Sequence, residues 1–350
     1  MVKRLACALL LVAAAAHAET FRVFGSLGAE SQLSPANGSS PLNPNNAGDV
    51  PYTNNSADAA LFADAKTDRW KLHAKLRGDA SDRTADHLQA GEAYAQFNAA
   101  PWLDVTAGRV IEKWGTGYAW NPVAFVSPKK NPADPTDRRS SYKGVDMIRA
   151  DVFVRDTSAS FYALRDGGVA ARAYRLIGGT DVSLHFRHDG SGTQQGISAA
   201  RVFGDALELH GEAARRHALL GGQYTFPSNV NVVVEVYHGG DGLSAAQWDA
   251  FRDSIPNDVR GANARFVPLM MGRNYAFARI DWAPAESRFE VETLAIANLR
   301  DRSSLARVTL TRKLRNNVSL YVIDTEFLGD GEFGYVQVRR LTTFGARVYF

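Results

Sequence analysis

The sequence predicts an all-β chain, a transmembrane antiparallel up-and-down β-barrel of about eighteen strands, with sixteen the nearest alternative. Three observations predict it. Segments of about ten residues alternate apolar and polar positions along the whole chain, long and short connections sort to opposite ends, and no run of about eighteen apolar residues follows the N-terminal segment. Between Trp70 and Asp79, Trp70, Leu72, Ala74 and Leu76 share one face, opposite Lys71, His73, Lys75, Arg77 and Asp79. Val182, Leu184 and Phe186 oppose Ser183, His185 and Arg187, and Val230, Val232, Val234 and Val236 oppose Asn231, Glu235 and Tyr237. Phe289, Val291 and Thr293 oppose Glu290 and Glu292. A charge facing hydrocarbon costs about 2–4 kcal/mol at the midplane, so the charged faces must line a lumen.

Loop length tests the strand count. If the strand at Phe21 runs toward one end, the long connections Ser34 to Ser56, Thr116 to Gly144 and Asp241 to Arg273 all fall at that end. The tight links near Thr67-Asp68, Ala100-Pro101, Pro227-Ser228-Asn229, Pro284-Ala285-Glu286 and Asn316-Asn317 then all fall at the other. An even count brings both termini to one side. The strand from Leu103 to Ile111 is the exception, because strict alternation sends Arg109 toward lipid; a bulge at Gly108 would turn it inward.

Met1 to Ala18 reads as a cleaved secretory signal: Lys3 and Arg4, an apolar run from Leu5 to Ala16, then Ala16-His17-Ala18 before Glu19. The only cysteine, Cys7, leaves with it, so residues 19–350 form one barrel domain with neither a disulfide nor a thiolate metal site. Of 40 Lys and Arg, Lys3 and Arg4 also leave, so 38 basic residues face 37 acids, a net charge of +1. That balance gives a nucleic-acid partner no electrostatic footprint.

The last strand carries its own pattern. Val336, Val338, Thr342, Phe344, Ala346, Val348 and Phe350 point one way, and Gln337, Arg339, Thr343, Arg347 and Tyr349 the other. An amphipathic final strand ending on an aromatic resembles that of bacterial outer-membrane β-barrels, where the terminal aromatic, here Phe350, is an assembly signal. Two further motifs extend the resemblance. One is Gly108-Arg109, Trp114-Gly115, Gly117-Tyr118-Ala119-Trp120-Asn121-Pro122, then Pro128-Lys129-Lys130-Asn131-Pro132 and Asp137-Arg138-Arg139; the other is Glu235 to Gly242. They are similar to elements of porin-like barrels, including the alginate-export type. The resemblance implies the bacterial outer membrane, both termini in the periplasm, and lipid, lipopolysaccharide and the barrel-assembly machinery as partners.

Several residues are candidates for the pore. The Thr116 to Lys143 loop carries Lys129, Lys130, Arg138, Arg139 and Lys143 against Asp134 and Asp137, an excess suited either to lipopolysaccharide phosphates or to a constriction that favours anions. Lumen-facing cations are Lys71, Lys75, Arg77, Arg149, Arg279, Arg307, Lys313 and Arg339. Lumen-facing acids are Asp79, Glu92, Asp151, Glu208, Glu212, Asp281, Glu290 and Glu292. Arg149 with Asp151 and Arg279 with Asp281 are neighbours able either to set a transverse field or to join a salt-bridge lattice. Trp114, Tyr118 and Trp120 suit an aromatic girdle at the headgroups. Ser244 is placed to cap a short loop helix with Trp248, Phe251 and Ile255 on one face and Pro256 at its end.

Catalysis finds little support. The chain has no Gly-x-Ser-x-Gly, His-Glu-x-x-His or P-loop motif, and only His238, Asp241 and Ser244 approach a hydrolase set. His73, His185 and His210 lie on lumen faces without metal spacing. The expected function is a porin-like channel for small hydrophilic solutes, with no cofactor. A closed barrel serving surface-polymer export or sheathing a partner protein is the alternative, and an outer-membrane hydrolase a more distant one.

Overall fold

The computed structural model describes residues 19–350, so the expected signal segment lies outside the described residues. Eighteen strands form one antiparallel sheet. The first nine are β1 (Thr20–Leu33), β2 (Thr53–Lys66), β3 (Trp70–Ser81), β4 (His87–Ala100), β5 (Leu103–Val110), β6 (Val145–Val154), β7 (Thr157–Leu164), β8 (Val169–Ile177) and β9 (Thr180–Asp189). The others are β10 (Gly192–Phe203), β11 (Leu207–Ala214), β12 (His217–Thr225), β13 (Val230–Gly239), β14 (Asn274–Trp282), β15 (Phe289–Asn298), β16 (Ser304–Arg315), β17 (Val318–Leu328) and β18 (Arg340–Tyr349). Every strand pairs with its sequence neighbours, and β1 also pairs with β18, from Ser26 opposite Tyr349 to Leu33 opposite Thr342. The sheet therefore closes without an edge.

Phe350 completes that seam. Its N–H and C=O exchange hydrogen bonds with Gly25 at 3.1 and 2.8 Å. On the lumen side, Arg347 of β18 reaches across β1 and grips Asp58 of β2 with two bonds of 2.8 and 2.9 Å. Gly28 of β1 lies between them, where an added Cβ would collide with both side chains. A buried pair this well bonded holds three strands in register, since losing one partner would strand a buried charge.

Alternation holds on the wall. Leu184, Val234, Ile148, Phe161 and Leu220 are exposed on the outer surface, while Ser183, His185, Glu235, Asp151 and Arg307 are buried in the lumen. The three longest connections, 34–52, 111–144 and 240–273, leave one end of the barrel, and the termini and turns such as 101–102, 178–179 and 316–317 occupy the other. Gly178 and Gly179 both take positive φ, 56° and 77°, as a two-residue hairpin turn requires.

Two details differ from expectation. Val336, Val338 and Arg339 precede β18 in a connection, and Arg339 is exposed there with its N–H bonded to Pro35 C=O, so it is not a lumen residue. The β5 register runs through Gly108 without a bulge, leaving Arg109 on the outer face. It is tolerated at the rim because Asp146 binds it bidentately at 2.7 and 2.8 Å and Arg165 shares the same carboxylate at 2.9 Å.

The roof over the long-loop end is compact. Ser244 and Gln247 form a capping box on α1 (Ala245–Ser254), followed by α2 (Val259–Arg265). Trp248, Phe251 and Ile255 pack with Leu42, Ala262, Met271 and Tyr335, so this loop helix buries its apolar face against the two other roof segments.

Candidate functional site: the inner loop and its seat

The connection 111–144 folds into the barrel, and lumen side chains from most of the wall hold it. It enters beside β4, where Ile111 N–H donates to Glu92 at 3.0 Å, and Arg149 of β6 clasps Glu112 while holding Asp151 at 2.7 Å. Trp114 is fully buried, donating its indole N–H to Tyr162 of β7 at 3.2 Å and packing on His185 of β9. The expected aromatic girdle is thus corrected: Trp114 and Trp120 are buried, and Tyr118 packs against the Trp120 cluster, inside the lumen. Their neighbours are wall aromatics, Tyr162 for Trp114 and Tyr237, Tyr275 and Phe277 for Trp120, and burying these rings there outweighs a place at the headgroups.

Two buried carboxylates seat the next stretch. Glu212 of β11 accepts N–H bonds from Thr116, Gly117 and Val123, the last two at 2.6 and 3.2 Å. Glu235 of β13 accepts from Tyr118 and Ala119, the latter at 2.8 Å, and is also bonded to His210 at 2.9 Å. Gly115 takes a φ of 92°, and a Cβ there would strike the Glu212 carboxylate. Arg279 of β14 lies over the Tyr118 ring at 5.2 Å and is itself paired with Asp281 at 3.1 Å and Glu292 at 2.6 Å.

The rest of the loop crosses to the opposite wall. Lys130 bonds Gly117 C=O within the loop, and burial pushes its ammonium below the ordinary lysine value despite the nearby Glu235 and Glu212. Arg307 of β16 donates to Ala133 C=O and lies 3.9 Å from Asp134. Arg138 and Arg139 both pair with Glu30 of β1, the first at 3.3 Å, and Tyr321 of β17 donates to the same carboxylate at 2.7 Å. Arg77 and Lys75 of β3 close the circuit by donating to the C=O groups of Arg139 and Tyr142 at 3.2 and 3.4 Å.

The candidate residues therefore fall into two sets. Arg138, Arg139 and Arg307 meet at the loop's far side, and Arg149 with Asp151 and Arg279 with Asp281 brace its near side. Lys129 stands apart, exposed above the loop. Glu30 was not singled out from sequence, and Glu235 was placed only on the lumen face of its strand, without its role as a seat for the loop. That role was not legible, since its loop partners are backbone N–H groups with no side-chain signature.

Above the loop lies a cavity of about 830 Å³ between segment 120–132, the upper ends of β9 and β12 to β14, and connection 240–272. The His238, Asp241 and Ser244 set does not assemble. His238 bonds Asn274 at 2.7 Å, Ser244 Oγ caps α1, and Asp241 pairs with His217 at 2.9 Å. His73 and His210 are likewise committed, to Asp64 at 2.7 Å and to Glu235.

No protein-family model matches the sequence, and no curated protein matches it. Solved structures do. A double mutant of the Rh. blastica porin is similar over 95% of this chain and 100% of its own, with a TM-score of 0.54 at 13% identity. Pseudomonas aeruginosa OccK5 (OpdH) is similar over 95% and 98%, with a TM-score of 0.60 at 9% identity. Read with the closed eighteen-stranded sheet, these likenesses show that the chain has the fold of a bacterial porin barrel.

Proposed function

We propose that the protein is an outer-membrane channel for small hydrophilic solutes and that connection 111–144 is its constriction. The observation that carries this is the inner loop itself, gripped by charged and polar wall residues from β1 around to β17 in a barrel whose outer face is apolar. Barrels of 16–18 strands are wide enough for an aqueous passage, so a loop inside one sets the limiting width. In this reading the long connections face the cell exterior, next to lipopolysaccharide. The short turns, both termini and the Phe350 assembly signal face the periplasm. Lys130, Arg138, Arg139 and Arg307 give the constriction its positive face, with Lys129 exposed beside it, and Arg149, Asp151, Arg279 and Asp281 brace the wall around it.

Planar-bilayer recording tests the reading. The full chain should give discrete ion-permeable steps, and replacing residues 129–139 by a short Gly-Ser link should enlarge them at least about twofold. A folded sample silent in both forms would overturn the channel, and equal steps in both would remove the loop from the constriction.

A further inference from the structure

We propose that the outer wall over the closing seam holds one glycerophospholipid of the periplasmic leaflet, its phosphate on Arg312 and an acyl chain in a groove that runs from there across β18 and β1. The choice of leaflet rests on the orientation proposed above, with the short turns at the periplasm. The groove itself does not.

The groove follows from the strand register. Glu30, Asp58 and Arg347 are buried in the lumen, so their chain neighbours Ala29, Ala57 and Ala346 face outward. With Ala80 these alanines stand opposite one another in a single row through β3, β2, β1 and β18. The row continues through Leu320 of β17 and Arg312 of β16 to Phe289 of β15. The methyl groups make a low floor, and Phe344, Val322 and Leu310, which oppose one another in the next outward row, stand beside it as a wall. Together they bound an open groove of about 950 Å³ on the lipid side of the sheet. Neighbouring strands lie about 4.8 Å apart, so a row through seven of them is about 29 Å long. Because the strands of such barrels tilt by about 45°, the row climbs obliquely from the short-turn end at Phe289 to the long-connection end at Ala80.

Shape and charge together select the occupant. An apolar floor has no partners for water, and left bare it forfeits its contacts, so hydrocarbon fills it. A second barrel would bring a convex wall and bridge the groove, whereas a single flexible chain can lie along the floor. Charge then identifies the owner of the chain. Arg312 is exposed, lies 5.6 Å over the Phe289 ring, and among the described residues makes no hydrogen bond or ion pair. Glu290, beside Phe289 on β15, is held by Lys313 in the lumen. A phosphate is a group that a planar guanidinium binds with two parallel bonds. The opposite end is acidic: Asp82 and Asp86 border the groove there, Asp82 accepting from Asn55 at 3.0 and 3.1 Å. Arg83 is turned away from them, to the carbonyls of Pro51 and Thr53. The phosphates of lipid A would meet those carboxylates, so the complementary lipid enters from the Arg312 end. One leaflet supplies about 15 Å of hydrocarbon, half of the bilayer core, enough for a chain that starts at Arg312 to reach Ala346 and Ala29.

Native mass spectrometry of the full-length barrel in detergent, loaded in turn with phosphatidylglycerol and with lipid A, tests the proposal; heat-modifiable gel migration first confirms that each variant is closed. One phosphatidylglycerol should be retained. Arg312→Gln should weaken its retention about fivefold or more, while Arg312→Lys holds it within about threefold. Ala29→Trp/Ala346→Trp fills the floor and should abolish retention. Ala173→Trp controls for the added ring: it lies on the outward face of β8, beside the lumen-facing Arg172, and should retain lipid as the native chain does. No retained phosphatidylglycerol, or retention unchanged by Arg312→Gln or by the double Trp variant, overturns the proposal. A dimer or trimer mass that the double Trp variant loses gives the groove to a second copy and overturns it too. Lipid A held through Arg312 would put that end in the outer leaflet and overturn the orientation with the proposal, whereas retention of neither lipid overturns the groove alone and leaves orientation and channel standing.

Discussion

Between Glu112 and Val126 the inner loop is held mainly through its backbone N–H groups, which point at wall carboxylates, whereas between Lys130 and Lys143 it is held through its side-chain cations and its C=O groups, which point at wall acids and bases. The first half buries Trp114 and Trp120, and five of its N–H groups end on Glu212 and Glu235. The second half buries no large apolar side chain: Arg138 and Arg139 meet Glu30, and Arg307, Arg77 and Lys75 donate to its carbonyls. An anchor made from buried backbone N–H bonds and buried rings is little screened by salt, and its N–H half cannot be removed by side-chain substitution within the loop. An anchor of part-exposed ion pairs is open to both. In the proposed channel the first half would then be the hinge of the constriction and the second half its adjustable edge.

Removing the carboxylate seat should have the largest effect. In Glu212→Ala/Glu235→Ala, five N–H groups lose their acceptors, each at a cost of about 1–3 kcal/mol where water does not replace them. The aromatic half should leave its seat, seen as enlarged or noisy conductance steps and as new proteolytic cleavage near Thr116 to Val123. Native steps and native protection would show that ring burial alone holds this half.

This contrast also marks what was legible in the residue pattern. The strand number, the closing seam and the sorting of connections follow from two-residue alternation, and the side chains displaying it lie on the wall itself, as at Trp70 to Asp79. The interior loop was legible only in its charges. Arg138 and Arg139 are conspicuous cations, but nothing in their neighbourhood names Glu30, which lies more than a hundred positions away. Trp114 and Trp120 misled because a ring with one polar edge suits a headgroup belt and a lumen wall equally. The choice between them depends on whether the loop enters the barrel, a tertiary fact. Arg109 misled for the opposite reason: alternation was correct there, and the partner that makes it tolerable, Asp146, belongs to the next strand.

Loosening the adjustable edge should have a smaller effect, mainly on selectivity. Glu30→Gln removes the charge that Arg138 and Arg139 share, while the carboxamide can still receive the Tyr321 hydroxyl. Two unmatched guanidinium groups then face the passage. In a KCl gradient the reversal potential should move toward the chloride potential, with step size changed less than about twofold. An unchanged reversal potential would mean that the current does not pass these arginines, and the passage would have to be sought on the Arg149 side.

The smallest effect concerns how the hinge half is tied to the roof. Trp120 shares one core with Tyr275, Phe277 and Phe333, and Tyr275 donates to the buried Glu332 at 2.6 Å. The same carboxylate accepts from Leu269 N–H at 2.7 Å and Asn298 at 2.7 Å, pinning connection 240–273 to the segment before β18. Burial holds the Glu332 carboxyl above its ordinary value of 4.5, so its neutral form is favoured in the fold. Below pH 4.5 the folded and unfolded forms are both protonated and burial costs nothing extra; as pH rises from there through the raised folded value, the charged form is penalised and stability falls. Amide exchange at Leu269 and Met271 should accordingly quicken from pH 4.5 toward neutrality, after correction for intrinsic rates. Glu332→Gln, permanently neutral, should flatten that slope. If the roof and hinge form one unit, the Gln variant should also alter protection at Ala119 and Trp120 and leave Arg138 and Arg139 unchanged. A slope that persists in the variant would place the titrating group elsewhere, and equal changes in both halves would dissolve the distinction between hinge and edge.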